Sequence, residues 1–176
     1  SSGASVSAGT TAAGNDGENI DEELTFPNDS KDLKTEISDN VLTIGAMSAN
    51  YNENLPANFS NYGKINVDVF APGVQIYSTT PENEYQKFSG TSMAAPSTAG
   101  VAALVRSYYP KLSASQVKHI LMNSGTLITI DVVKPGSQSR ENPTGELVPF
   151  TDLSVSGRVV NAYNALLMAD KMVNGK

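Results

Sequence analysis

The stretch from Phe88 to Leu104 restricts the possible folds more than any other part of the chain. The residues after Ser92 are nearly all small or apolar, so a helix formed by them has almost no polar face. A helix that is apolar all round is typically buried. Pro96 has no backbone N–H and is tolerated only near the start of a helix. The pattern therefore predicts a buried helix that begins near Thr91 or Ser92.

The hydroxyl of Ser92 lies at the predicted start of this helix and has two interpretations. It can act as an N-cap, which is the ordinary role of a serine that precedes a helix. It can also be a reactive group, since the positive end of the helix dipole stabilises negative charge that develops nearby. A single serine does not decide between the two roles.

The neighbours of Ser92 favour the reactive role because they form a specific motif. Seven consecutive residues and two more behind them resemble the nucleophile segment of subtilisin-like serine proteases, the subtilases. These residues are Gly90, Thr91, Ser92, Met93, Ala94, Ala95, Pro96, Ala99 and Gly100. The resemblance implies that Ser92 is the catalytic serine and that Gly90 and Thr91 lie beside the substrate. Ala94 excludes the Gly-x-Ser-x-Gly elbow of the α/β-hydrolases, and Ser97 stands where subtilases usually have histidine.

A second motif, Ala12-Ala13-Gly14-Asn15, precedes the first. In isolation the following Asn-Asp-Gly indicates only a turn. In this order along the chain it resembles the subtilase segment whose asparagine side chain donates into the oxyanion hole. That chemistry needs an uncharged N–H donor, fixed before the reaction and aimed at the oxygen that becomes negative. The resemblance implies that Asn15 is this donor, and that Ala12, Ala13 and Gly14 form a wall of the primary specificity pocket.

The base that a serine nucleophile needs is not found where the family has it. In subtilases the base is a histidine oriented by an aspartate, and the chain order is Asp, His, Ser. The only histidine is His119, which follows Ser92 and falls on the outer side of a predicted amphipathic helix capped by Ser113 and Gln116. We predict an ordinary surface position for His119. We therefore expect an N-terminal half, supplied elsewhere, to bring Asp and His, and we expect this chain alone to be inactive.

The amino-acid composition and the net charge exclude some classes of binding partner. The chain is 39% hydrophobic and 17% charged, contains no cysteine, and has no apolar run long enough to cross a membrane. The net charge of −6 argues against nucleic acid and anionic membranes as partners, so we expect neither nucleic-acid binding nor membrane insertion. Cysteine content alone does not choose between cytoplasm and secretion. The resemblance implies a secreted or cell-envelope protein with a peptide or protein substrate.

An acidic segment lies between Asp16 and Asp39 and carries a net charge of −7. Such a segment is most often a solvated loop. The alternative is a structural calcium site, because carboxylates on a flexible loop suit that ion, although the spacing matches no EF-hand. No cofactor is expected to be required for catalysis, and calcium is possible as a structural ion.

The predicted architecture is an α/β domain, namely the C-terminal half of a subtilisin-like, mostly parallel sheet with helices on both faces. Residues 1–11, rich in Ser, Gly, Ala and Thr, are predicted to be a linker or an artificial remnant, and residues 12–176 the peptidase part. Strands are predicted over 41–46, 65–70 and 75–78, with a hairpin-like excursion after the last. Residues 126–155 are predicted to be one long irregular surface connection, followed by a helix from Ala162.

The leading interpretation is the nucleophile-bearing part of a serine endopeptidase. Two alternatives stay open. The chain could be a non-catalytic peptide-binding or assembly module on a degenerate subtilase fold, although such a module needs neither Ser92 nor Asn15. It could also be a different hydrolase that uses Ser92, which a comparison of peptide and ester substrates would reveal.

Overall fold

A five-stranded sheet lies at the centre of the computed structural model, which describes residues 7–23 and 25–175. Its strand order is β1-β2-β3-β9-β6, and the first four strands in this order are parallel, with β6 antiparallel to β9. The five strands are β1 Gly9–Ala12, β2 Val41–Met47, β3 Val69–Pro72, β6 Thr126–Leu127 and β9 Arg158–Val159. The predicted α/β class with a mostly parallel sheet is confirmed.

The start of the chain differs from the predicted linker. Residues 9–11 lie in β1, where Gly9 pairs with Val41 and Thr11 with Thr43 in parallel register. Backbone hydrogen bonding forms this strand, so the small side chains that suggested a linker do not prevent it. Residues 1–6 lie outside the described residues, and the remaining division of the chain into two parts stays a prediction.

The third strand begins later than predicted. We expected a strand over 65–70, but β3 starts at Val69. The backbone N–H groups of Ile65 and Asn66 donate to the Asp21 carboxylate rather than to a neighbouring strand, and Ile65 is half exposed. The strand predicted over 41–46 is confirmed and extends to Met47.

Three helices pack on one face of the sheet. They are α1 Thr91–Tyr108, α2 Ala114–Ser124 and α3 Ala162–Asn174. Leu42, Ile44 and Ala46 point to this face and join buried residues of all three helices in one apolar cluster. The predicted start of α1 and the capping box of α2 are both confirmed.

The burial of α1 differs from the prediction. One side, with Ala94, Ala95 and Ala102, is buried against the sheet, but Ala99 and Ala103 on the other side are exposed. The reason is that the described residues cover only one side of the helix. Pro96 lies in the second turn rather than at the very start, so the Ser92 carbonyl lacks the N–H partner that an α-helix normally provides.

The opposite face of the sheet is covered by residues that we predicted to be an irregular surface connection. Residues 126–155 contain β6, then the antiparallel pair β7 Asp131–Val133 and β8 Leu147–Pro149. Phe150 is fully buried, and its ring centroid lies 5.1 Å from that of Phe70 on β3. The glycines that suggested irregular structure, Gly136 and Gly145, have positive φ and mark tight turns. The segment is therefore part of a second core.

The predicted hairpin before Gly90 is confirmed. It consists of β4 Ile76–Thr80 and β5 Glu84–Phe88, which pair antiparallel and are mostly exposed. The rings of Tyr77 and Tyr85 stack across it at 5.5 Å. The hairpin delivers the chain to the start of α1. Among the helices of the described residues, none has the length and hydrophobicity needed to span a membrane.

Candidate active site

Ser92 is the second residue of α1 and is exposed. The N-cap is Gly90, not Ser92, so the interpretation of Ser92 as a capping residue is wrong. Because the first N–H groups of a helix have no partner within the helix, this position sets a hydroxyl beside free backbone donors. Helix geometry thus offers the serine a site where negative charge is stabilised.

The side chain of Asn15 binds the first turn of this helix. Its Oδ1 accepts hydrogen bonds from the Thr91 backbone N–H at 2.8 Å and from the Thr91 hydroxyl at 2.9 Å. The same hydroxyl accepts from the Gly14 N–H at 3.2 Å. With Oδ1 directed at the helix, the Nδ2 group makes no hydrogen bond within the described part of the chain and is available to another acceptor. The fold thus brings Asn15 next to the residue that precedes Ser92.

Gly90 lies at the same place and is buried. Its backbone is anchored, since its N–H donates to the Gly73 carbonyl at 2.8 Å and its own carbonyl accepts from Met93 N–H at 3.0 Å. A Cβ on Gly90 would lie 3.6 Å from the Met93 sulfur and 3.7 Å from Asn15 Oδ1. Any larger side chain would therefore enter the space between Met93 and Asn15, in front of the helix start.

The segment Ala12–Gly14 leads from β1 into the site. Ala13 is buried, and its N–H donates to the Ile44 carbonyl at 3.1 Å. Gly14 has a φ of +109°, which disfavours any residue with a side chain. The three predicted wall residues thus lie directly beside Asn15 in the chain.

One residue of this region was not predicted. Asn61 is fully buried, and its side-chain amide hydrogen-bonds to the backbone on both sides of Asn15. The sequence shows Asn61 as part of the turn-like segment 58–63, which resembles a subtilase segment. Nothing in local sequence indicates that its amide reaches a loop more than forty positions upstream.

His119 lies on the surface, as predicted, and outside the site. It is half exposed on α2, and its Nε2 is 2.9 Å from Asp39 Oδ1. The hydrogen bond from Ser115 and the neighbouring His119 lower the pKa of Asp39. No hydrogen bond within residues 7–23 and 25–175 links His119 to Ser92. The fold therefore unites Ser92, Asn15 and their neighbours but does not add a base from this chain.

A buried ionic cluster joins the acidic segment to the core. Burial raises the pKa of Asp68 to about 7, while Thr43 N–H donates to its Oδ2 at 2.7 Å. The Lys118 ammonium lies 3.6 Å from Asp68 Oδ1 and forms an ion pair with Glu36, and burial lowers the pKa of Lys118. In the described ranges no three acidic or histidine side chains are grouped as a metal site would require. The calcium ion stays a prediction.

Taken together, the site can perform acyl transfer if a base is added. A hydroxyl and a free helix-start N–H belong to Ser92, and a free amide N–H belongs to Asn15, whose Oδ1 binds the residue before Ser92. This is the combination needed to attack a carbonyl carbon and hold the resulting oxyanion.

Comparison with known proteins agrees with this chemistry. A family model described as the subtilase family matches residues 3–158. The chain is 49% identical over 88 residues to Subtilisin DY of Bacillus licheniformis, a match that covers 50% of this chain and 31% of that protein. It is 46% identical over 87 residues to Alkaline elastase YaB of Bacillus sp. (strain YaB), covering 49% of this chain and 22% of that protein.

A solved structure gives a longer match. The structure of the prenylagaramide maturation protease PagA superposes with a TM-score of 0.61 at 27% identity, covering 90% of this chain and 49% of that chain. The fold therefore extends over nearly all of this chain. In each of these relatives, however, the matched region is about half of the protein or less.

Proposed function

The chain belongs to the subtilase family, and from this we propose that the protein is a serine endopeptidase in which Ser92 is the nucleophile. The observation that carries the proposal is the pair of hydrogen bonds from Thr91 to Asn15 Oδ1, which leaves Asn15 Nδ2 free beside Ser92. The substrate is a peptide or protein. Ala12, Ala13, Gly14, Gly90 and Thr91 are proposed to contact it.

The proposed reaction begins with attack of Ser92 Oγ on the carbonyl carbon of the scissile peptide bond. The hydroxyl proton passes to a histidine base, and the carbonyl oxygen becomes negative. The Ser92 backbone N–H and Asn15 Nδ2 donate to that oxygen. Breaking of the C–N bond returns the proton to the leaving amine and leaves an acyl-Ser92 ester, which water hydrolyses by the same sequence of steps.

We propose that the base and its orienting aspartate come from a polypeptide segment outside these 176 residues. Two features support this. His119 is paired with Asp39 on the surface. In addition, the outer side of α1 and the open edge of β1 lack a covering element within the described residues. A segment that adds a strand to β1 and covers α1 would bring its own side chains next to Ser92.

The same proposal includes the cofactor requirement and the cellular location. Acyl transfer of this kind needs no cofactor, so a calcium ion on the acidic segment would have a structural role only. The family relationship favours secretion or the cell envelope as the location.

A fluorophosphonate probe tests the proposal. We expect the complete protein to be labelled at Ser92 and to hydrolyse an unfolded protein substrate. We expect Ser92→Ala to abolish labelling and to lower hydrolysis by about 10⁶-fold, the scale known for loss of the nucleophile in this family. A correctly folded complete protein that is neither labelled nor active would instead support the peptide-binding or assembly module. Labelling with ester but not peptide hydrolysis would support a different hydrolase.

A further inference from the structure

The side chain of Asn61 binds the loop that carries Asn15 on both of its flanks. Its Oδ1 accepts from the backbone N–H groups of Asp16 and Glu18, each at 3.0 Å. Its Nδ2 donates to the Ala13 carbonyl at 3.1 Å. The backbone N–H of Asn61 adds a bond to the Gly14 carbonyl at 3.0 Å. Every residue from 13 to 18 except Asn15 and Gly17 is therefore bound to this one asparagine.

The position of Asn61 is itself fixed. The residue is fully buried, and its carbonyl accepts from the Ser60 hydroxyl at 2.9 Å. That hydroxyl also accepts from Ala46 N–H at 2.9 Å, so the contact reaches strand β2 of the sheet. A low-energy buried amide must have its donors and acceptors satisfied, and only this orientation of the Asn61 amide satisfies both of its ends.

Gly14 allows the amide to come this close. A Cβ at Gly14 would lie 2.4 Å from Asn61 Nδ2, which is too short for any real contact. The positive φ of Gly14 and the buried amide of Asn61 are therefore two parts of one arrangement.

We propose that Asn61 is a positioning residue for catalysis, which fixes the loop so that Asn15 Nδ2 points at the developing oxyanion before substrate binds. This inference rests on the proposed function. A donor already in place costs no reorganisation when negative charge forms, and a displacement of about 1 Å can reduce a rate by about 10²-fold. We therefore expect Asn61 to act on the rate through the position of Asn15.

A double-mutant cycle in the complete protein tests this. The kcat is measured on a peptide substrate, and active sites are counted by fluorophosphonate labelling of Ser92. We expect Asn15→Ala to lower kcat by about 10²–10³-fold, the magnitude known in this family. We expect Asn61→Ala to lower kcat by about 10–100-fold and KM to change by less than about threefold. In the Asn15→Ala background, we expect Asn61→Ala to change kcat by less than about twofold, because residues that act as a unit are not additive.

A matched substitution separates positioning from simple stability. Asn66 also uses its side-chain amide to bind backbone, donating to the Leu33 carbonyl at 3.0 Å, but it does not bind residues 13–18. We expect Asn66→Ala to leave kcat per labelled site within about twofold of wild type. Asn61→Ser introduces no buried charge, so it can replace Asn61→Ala if that variant does not fold. We expect Asn61→Ser also to lower kcat when Asn15 is present and to leave kcat within about twofold in the Asn15→Ala background.

Three results would overturn the inference, and they can be distinguished. If Asn61→Ala leaves kcat per labelled site unchanged while lowering the unfolding temperature, its role is structural only. If its effect on kcat is the same with and without Asn15, it does not act through Asn15. If the wild-type complete protein neither reacts with the probe nor cleaves peptide, the proposed function fails and this inference fails with it.

Discussion

The two ends of the Asn15 amide have different roles. Oδ1 accepts from Thr91 and so satisfies a donor that the helix leaves unpaired, as an N-cap side chain would. Nδ2 is thereby left without a hydrogen-bond partner among the described residues. One contact thus caps the helix and orients the proposed oxyanion donor. This explains why Gly90, which has no side chain, can occupy the N-cap position.

A second single residue, Asp68, makes the free energy of unfolding depend on pH. Its pKa is raised from 3.8 to about 7 by burial, so the folded state favours the neutral carboxyl. The resulting stability is fully present below pH 3.8 and is lost as the pH rises through about 7. Lys118 and Glu36 face this group from α2 and the acidic segment, and Asp29 and Asp39 add negative charge.

We therefore expect wild type to lose stability relative to Asp68→Asn between pH 4.5 and pH 8, by on the order of 2 kcal/mol. The measurement is the free energy of unfolding in urea at both pH values, with both proteins in a Ser92→Ala background to prevent self-digestion. Asparagine keeps the acceptor for Thr43 N–H but changes the contact with Lys118, so the change of the difference with pH reports the ionisation of Asp68. A difference between the two proteins that is the same at both pH values would contradict the assignment.

Of the helices and strands, α2 is specified most completely by its local sequence. Ser113 Oγ accepts from Gln116 N–H at 3.1 Å, and Gln116 Oε1 accepts from Ser113 N–H at 2.8 Å. Val117, Ile120 and Leu121 then form the buried face. The capping box, the helical spacing of the apolar residues and the buried face all indicate the same helix. The sequence prediction for this helix is confirmed for that reason.

We expect Ser113→Ala to destabilise the complete protein by about 1 kcal/mol, because the Gln116 N–H loses its acceptor at the helix start. Ser113→Asp should restore most of this loss, since a carboxylate also accepts from that N–H. The free energy of unfolding in urea measures both changes. Equal destabilisation by alanine and aspartate would show that the loss comes from something other than the cap.

For the whole molecule, the important feature is a half-buried α1 beside an open sheet edge. The described residues bury Ala94, Ala102 and Val105 against β1, β2 and β3. Ala99 and Ala103 on the opposite side remain in contact with solvent, although their small apolar character suits close packing. We proposed above that a segment outside these 176 residues brings the histidine base. The same segment would cover the exposed side of α1 and remove this apolar surface from water.

This arrangement makes Ala103 a sensitive position. We expect Ala103→Arg to lower the activity of the complete protein by at least tenfold, because a charged side chain would be forced into a closely packed apolar contact, at a cost of about 3 kcal/mol or more. Tyr163→Arg on α3, at another exposed position, is the matched control and should leave activity unchanged. Full activity and normal folding of Ala103→Arg would show that this side of α1 stays in solvent.

The sequence predicted those parts of the fold in which local sequence signals and tertiary packing favour the same structure. The start of α1, the capped α2, the strand at Val41 and the subtilase motifs of Gly90–Pro96 and Ala12–Asn15 all carry their signal in a few adjacent residues. Residues 126–155 carry no such local signal. Their glycines and prolines are compatible both with an irregular loop and with an antiparallel strand pair that covers a core.

By itself, the sequence determined the chemical identity of the site: a serine at a helix start and an asparagine in a turn, each within a recognisable motif. Only the tertiary structure decided how they are arranged. It made Gly90 rather than Ser92 the N-cap, turned Asn15 Oδ1 toward Thr91, and bound the loop to Asn61. The physical reason is that hydrogen bonds between residues 43 to 77 positions apart depend on how the sheet and helix pack, and no local pattern records that packing.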